Sequence, residues 1–156
     1  MDASVAQRGH ILIVCYGNIC RSPTAEALLR RELERAALAS RWQVSSAGVR
    51  ALEGVPAAPG AVQAAAAKGI TLDAHRSRRL TAEMAAAADL IVALDEFVED
   101  QILVQLGDVP MELWPVADPF GGPEEGYRRA YQEIAVHVAE FVQRLKSGSG
   151  PAAPTP

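Results

Sequence analysis

Ile11-Leu12-Ile13-Val14-Cys15-Tyr16-Gly17-Asn18-Ile19-Cys20-Arg21-Ser22-Pro23 joins an unbroken apolar run to a stretch with helical spacing. Four consecutive aliphatic residues are what a parallel strand covered on both faces requires. Ser22 and Pro23 predict a helix start, with the serine as cap and the proline at the first helical position. Between strand and helix lie a thiol, five residues, an arginine and a hydroxyl. So short a connection curls until several backbone N–H groups point inward, forming an anion-binding nest from Tyr16, Gly17, Asn18, Ile19, Cys20 and Ser22. The positive end of the helix faces the same spot. Arg21 can close the ring with a bidentate hold on two phosphate oxygens. Cys15, at the base of the nest, would sit in a field that favours thiolate, the nucleophilic form.

Beyond this junction, strands and helices alternate. The first helix is expected to reach Ala39, with Ala25, Leu28, Leu29, Leu33 and Ala36 on one face. A second strand is read from Arg41 to Ala47 and a Gly/Pro-rich loop from Gly48. Helices are expected from Ala58 to Lys68, ended by Gly69, and from Thr81 to Ala88, capped by Thr81. Asp89 to Leu94 reads as the third strand. Asp95 then caps a helix carrying Val98, Ile102, Leu103 and Leu106, stopped by Gly107. Met111 to Trp114 is the fourth strand, and Pro115 to Pro123 a loop. The last helix has the clearest period: Tyr127, Tyr131, Ile134, Val138, Phe141, Val142 and Leu145, with Glu124 and Glu125 at its positive end.

This alternation predicts an α/β fold, a three-layer doubly wound sandwich with a four-stranded parallel sheet flanked by helices. Its ligand should bind at the carboxyl ends of the strands, where the Cys15 loop lies. Residues 1–146 are expected to form a single domain and 147–156 a disordered Gly/Pro/Ala tail.

Composition narrows the function. Of 156 residues, 49% are apolar, and the net charge is −4. A sequence pI near 5.4 argues against nucleic acid as a partner. No apolar run is long enough to span a bilayer. Met1 to His10 lacks the layout of a signal peptide, and both cysteines sit in one loop, which fits a cytoplasmic chain better than a secreted one. Three histidines without ligand-like spacing predict no metal, and nothing calls for a cofactor.

The segment Cys15 to Pro23 resembles the signature of the low-molecular-weight protein tyrosine phosphatases. Ser46-Ala47-Gly48 is similar to that family's segment after the second strand, His75-Arg76-Ser77-Arg78 to its histidine loop, and Asp118-Pro119-Phe120-Gly121 to its Asp-Pro-aromatic segment before the last helix. The resemblance spans about residues 10–146 in the family's order. It implies Cys15 as nucleophile, Arg21 as phosphate clamp and Asp118 as general acid, then base. It implies that Ser22 hydrogen-bonds the sulfur and that Asn18, Ser22, Ser46 and His75 brace the loop. Asn18 suits that place because asparagine tolerates a left-handed backbone. Tyr16, Leu52 and Phe120 are candidates for the cleft walls. Leu52, where many members carry an aromatic, looks like the bacterial branch associated with exopolysaccharide and capsule tyrosine kinases. The expected partner is therefore a phosphotyrosine-bearing protein, such as a bacterial tyrosine kinase.

Alternatives stay open. Cys20 is either a small buried residue or the partner of an oxidised Cys15 in a protective disulfide. An arsenate reductase on the same scaffold relays oxidation to cysteines outside the loop, which this chain lacks. A protein-arginine phosphatase typically has Thr where Ile19 stands. A non-catalytic phosphate reader would need neither Cys15 nor Asp118. Trp42, Trp114, His10 and His137 read as packing or surface residues. The cluster Arg76 to Arg79 is either a solvated face or a lure for acidic partners.

Overall fold

The computed structural model describes residues 8–152. The elements alternate as β1 (Gly9–Cys15), α1 (Arg21–Arg35), β2 (Trp42–Gly48), α2 (Pro59–Ala66), α3 (Ala82–Ala87), β3 (Leu90–Ala93), α4 (Glu96–Leu106), β4 (Met111–Leu113) and α5 (Glu124–Ser147). The strands form one four-stranded sheet in the order β2-β1-β3-β4, every neighbouring pair parallel. β1 is central, pairing Cys15 with Gly48 on one side and Val14 with Ala93 on the other. The strand order reverses beside β1, so the crevice at a topological switch point opens at its carboxyl end. Cys15 is the last residue of that strand.

Alternation along β1 divides the interior. Ile11, Ile13 and Cys15 join Leu28, Leu29, Leu33, Ala61, Ala65, Ile134, Val138 and Phe141, drawn from α1, α2 and α5. Leu12 and Val14 point the other way, onto Ala85, Val98 and Ile102 of α3 and α4. Three layers follow. Each fully buried aliphatic side chain contributes about 1.5–3 kcal/mol, and those of β1 hold their strand from both faces. Trp42 and Trp114 are buried, the former with its ring over Gly9, where an added Cβ would lie only 2.4 Å away.

Four expectations need correction. Ser22 does not cap α1: the cap position falls on Cys20 without a side-chain bond, and Ser22 lies inside the first turn with its hydroxyl committed elsewhere. Pro23 is accordingly two residues past the helix start. The helix ends at Arg35 rather than Ala39 because Ala37 turns left-handed, φ 60°, so that Leu38 N–H bonds Leu33 O and Ala37 N–H bonds Glu34 O. This is the Schellman closure, built with alanine where glycine is usual, so the customary sequence signal is missing. On α4 only Val98 and Ile102 are buried, Leu103 being exposed.

The caps expected of Thr81 and Asp95 are present, bonding the N–H groups of Met84 and Val98 at 3.1 and 2.7 Å. α5 includes Ser147, and Gly148 closes it at φ 80°. Residues 1–7 and 153–156, on which the expectations for the amino terminus and the tail partly rest, lie outside the described residues. Among the described residues no helix is long and apolar enough to cross a membrane.

Candidate active site

The loop from β1 to α1 wraps around a sulfur. Cys15 Sγ, almost fully buried, accepts the Asn18 backbone N–H at 3.2 Å and lies 3.0 Å from Ser22 Oγ. Asn18 makes the curl possible, since its φ is 56°. Outside glycine, that left-handed conformation is adopted most readily by asparagine and aspartate. The N–H groups of Gly17, Ile19 and Cys20 donate to no group among the described residues. Together with the free N–H groups of the first turn of α1, they make a concentration of positive partial charge beside the thiol.

Asn18 also organises what lies behind the loop. Its Nδ2 donates to Ser22 Oγ at 2.8 Å and to Ser46 Oγ at 3.0 Å, and its Oδ1 accepts Arg78 N–H at 2.8 Å. His75 Nε2 lies 2.6 Å from the Asn18 carbonyl oxygen. The structure thus brings together all four residues expected to brace the loop, and it adds two more. Glu26 of α1 accepts a 2.5 Å bond from Ser46 Oγ, and Arg78 Nε donates to Ser46 O at 3.1 Å. Gly48 passes directly beneath the loop: a Cβ there would sit 2.7 Å from Tyr16 O and 2.8 Å from Asn18 N.

Arg21 is only 2% exposed. Its Nη1 donates to Asp95 Oδ2 at 2.7 Å and to Val116 O at 2.9 Å, and Asp118 Oδ2 lies 3.6 Å from Nη2. Nε is buried with no partner among the described residues. The protein therefore occupies one side of the guanidinium and leaves the Nε–Nη2 edge unbonded, the edge that matches two oxygens of a phosphate. In sequence the cap signal of Asp95 explains that residue fully and conceals its place in the site. In the structure one carboxylate does both jobs, Oδ1 to α4 and Oδ2 to Arg21.

Asp118 stands across the cleft with its side chain nearly half exposed, and its Oδ1 accepts Phe120 N–H at 3.1 Å in a tight turn. The cleft, about 280 Å³, is lined by Cys15, Arg21, Asp118, Ile19, Leu52 and Phe120, with Tyr16 and Arg50 also on its walls. Leu52 and Phe120 are 73% and 63% exposed, so both form a rim rather than packing into the interior. Ser77 Oγ bonds the carbonyl of Leu52 and accepts Val55 N–H, which fixes the Leu52 loop to the histidine loop. Burial, with Cys15 and Asp118 nearby, pushes the Cys20 thiol up to about 12. The Cys20 thiol therefore stays protonated at neutral pH.

A buried thiol in a nest, an arginine with one open edge and a carboxylate facing them is a phosphate-ester site with its own nucleophile. Comparison with known proteins agrees. The model of the low molecular weight phosphotyrosine protein phosphatase family matches residues 10–149. The chain belongs to this family.

Among its relatives is the probable low molecular weight protein-tyrosine-phosphatase EpsP of Ralstonia nicotianae, 37% identical over 88% of this chain and 96% of that one. The protein-arginine-phosphatase of Bacillus subtilis is 35% identical over 87% and 96%. The tyrosine phosphatase Wzb from Escherichia coli K30, solved in complex with sulphate, superposes with a TM-score of 0.82 at 28% identity, covering 88% of this chain and 99% of that one. This phosphatase family and the architecture derived from β1 outward are thus the same fold.

Proposed function

We propose that the chain hydrolyses phosphotyrosine in proteins, and small aryl phosphates, through a phosphocysteine intermediate. The observation that carries this reading is the convergence of Cys15 Sγ, the open edge of Arg21 and the Asp118 carboxylate on one cleft. Cys15 sulfur attacks phosphorus in line while the bond to the phenolic oxygen breaks. The nest and Arg21 hold the charge spread over the three equatorial oxygens. Asp118, protonated, gives its proton to the departing phenolate. Ser22 and the Asn18 N–H then stabilise sulfur as the leaving group of the second step. There Asp118 takes a proton from water, the water oxygen attacks phosphorus, the S–P bond breaks and inorganic phosphate leaves.

Proton transfer of this kind is commonly worth about 10²–10⁴ in rate. Asp118→Asn should lose that much on phenyl phosphate, and less as the leaving phenol becomes more acidic. Hydrolysis of p-nitrophenyl phosphate by the wild type is the first test, and a protein that does not turn it over rules out the enzyme reading.

A second reading, protein-arginine dephosphorylation, is favoured by the similarity to an arginine phosphatase. Ile19 supports phosphotyrosine instead, as an apolar wall for an aromatic leaving group. Rates on phosphotyrosine and phosphoarginine peptides of the same sequence separate the two. The physiological substrate proposed is a tyrosine kinase of exopolysaccharide production, and trapping with Cys15→Ser tests it. Two free cysteines at the site suit a reducing, cytoplasmic location. Cys20 is further proposed to form a disulfide with Cys15 once peroxide has converted Cys15 to the sulfenic acid, water leaving as the S–S bond forms. Peroxide treatment followed by peptide mass spectrometry detects that link or its absence.

A further inference from the structure

Two cations line the cleft, and they are placed very differently. Arg21 is buried at the bottom against Asp95 and Asp118. Arg50 stands at the rim, exposed, in the loop that leaves β2. Its backbone is tied to the nest, since Arg50 N–H donates to Tyr16 O at 2.9 Å, so its position relative to Cys15 is fixed. Its guanidinium has one side-chain partner, the neutral amide oxygen of Gln101 on α4, at 3.2 Å. Glu99 and Asp100 immediately precede Gln101 in sequence, yet no carboxylate of the described residues pairs with Arg50. Beside it, Tyr16 and Phe97 pack as a half-exposed aromatic pair, ring centroids 5.9 Å apart.

A phosphotyrosine whose phosphate reaches the nest leaves its own backbone at the level of this rim. Neighbouring substrate residues follow at about 3.3–3.6 Å per extended residue. A carboxylate side chain one or two positions away comes within reach of Arg50. There it replaces a neutral acceptor with a charged one of matching fork geometry. We infer that Arg50, held out by Gln101, is a specificity residue that selects substrates carrying Asp or Glu next to the phosphotyrosine. The inference rests on the phosphotyrosine reading above.

The pair would be solvent-exposed, so the preference is modest, about two- to fivefold in kcat/KM, and it weakens as salt screens it. The test uses phosphotyrosine peptides that differ only in Asp, Gln or Lys beside the phosphotyrosine. Each rate is normalised to the same variant's rate on p-nitrophenyl phosphate, which has no neighbouring residue. Wild type should prefer the Asp peptide over the Gln peptide and the Gln peptide over the Lys peptide. Arg50→Gln should flatten the series and Arg50→Glu should invert it. Gln101→Glu should flatten it as well, by giving Arg50 a carboxylate within the chain. If wild type turns over all three peptides equally, or Arg50→Gln keeps the preference, the assignment of Arg50 is wrong and the phosphotyrosine reading stands. If none of the peptides is turned over while p-nitrophenyl phosphate is, both fall.

Discussion

Arg21 and Arg144 each meet a carboxylate at 2.7 Å, and there the likeness ends. Arg144, on α5, forks onto Glu112 of β4 with both terminal nitrogens, at 2.9 and 2.7 Å. Its guanidinium also lies over the Phe141 ring, 5.2 Å from the centroid. Glu112 spends its other capacity on Trp114 Nε1. This is a closed, partly solvated set that stitches the last strand to the last helix. Arg21 is buried yet leaves one edge unbonded and Nε without a partner. A buried donor left unmade costs about 1–3 kcal/mol; Arg8 Nε shares that lack, but only Arg21 carries it into the cleft beside Cys15. Satisfied ion pairs on the surface hold elements together, whereas an incompletely satisfied cation in a cleft is prepared for something else.

Substitutions can break this contrast. The largest effect is expected at Cys15→Ser, which should reduce phosphatase turnover by on the order of 10⁴-fold or more while leaving the melting temperature close to wild type. A collapsed fold in that variant would mean the loop is held up by its sulfur. Next, Arg21→Lys should cost about 10²–10³ in kcat/KM, since an ammonium cannot present two parallel donors. Arg144→Lys should leave steady-state kinetics unchanged. Equal losses from the two would erase the distinction.

Asn18→Ala removes a side chain with bonds to Ser22, Ser46 and Arg78. About 1–3 kcal/mol is expected for each buried group left unpaired, visible as a lower urea midpoint together with slower turnover. The smallest effect belongs to Glu112→Gln. The bond from Arg144 holds the Glu112 carboxyl below its ordinary range. A depressed folded value means the stabilisation is present above the unfolded pKa and is lost as pH falls through the folded one. Wild type should exceed the variant by about 0.5–1 kcal/mol at neutral pH, and the two melting temperatures should converge in acid.

How much of this could be read from the chain depended on how far apart the cooperating residues lie. The nest was legible because thiol, arginine and hydroxyl are contiguous between a continuous apolar strand and a helix. Asp118 was legible only through resemblance, since an Asp-Pro turn has many uses. The Asp95–Arg21 bond spans 74 positions and hides behind a sufficient local explanation, a helix cap. Glu26 looked like an ordinary helix residue, and only the register of β2 against β1 carries Ser46 onto it. Ser22 misled in the opposite direction, because a serine before proline has a stock role that the sulfur overrode. Arg50 and Gln101 are surface residue types that acquire meaning only once α4 is set beside the nest.

Gly48 has a bearing on portability. The strand that pairs with β1 runs so close under the loop that its backbone acts as the mould against which the nest is shaped. Residues Cys15 to Ser22, spliced onto another strand and helix, would carry the letters of the motif without its form. The smallest transplantable unit is three separate pieces, the loop itself, Ser46 to Gly48 and His75 to Arg78, held at the distances this sheet imposes.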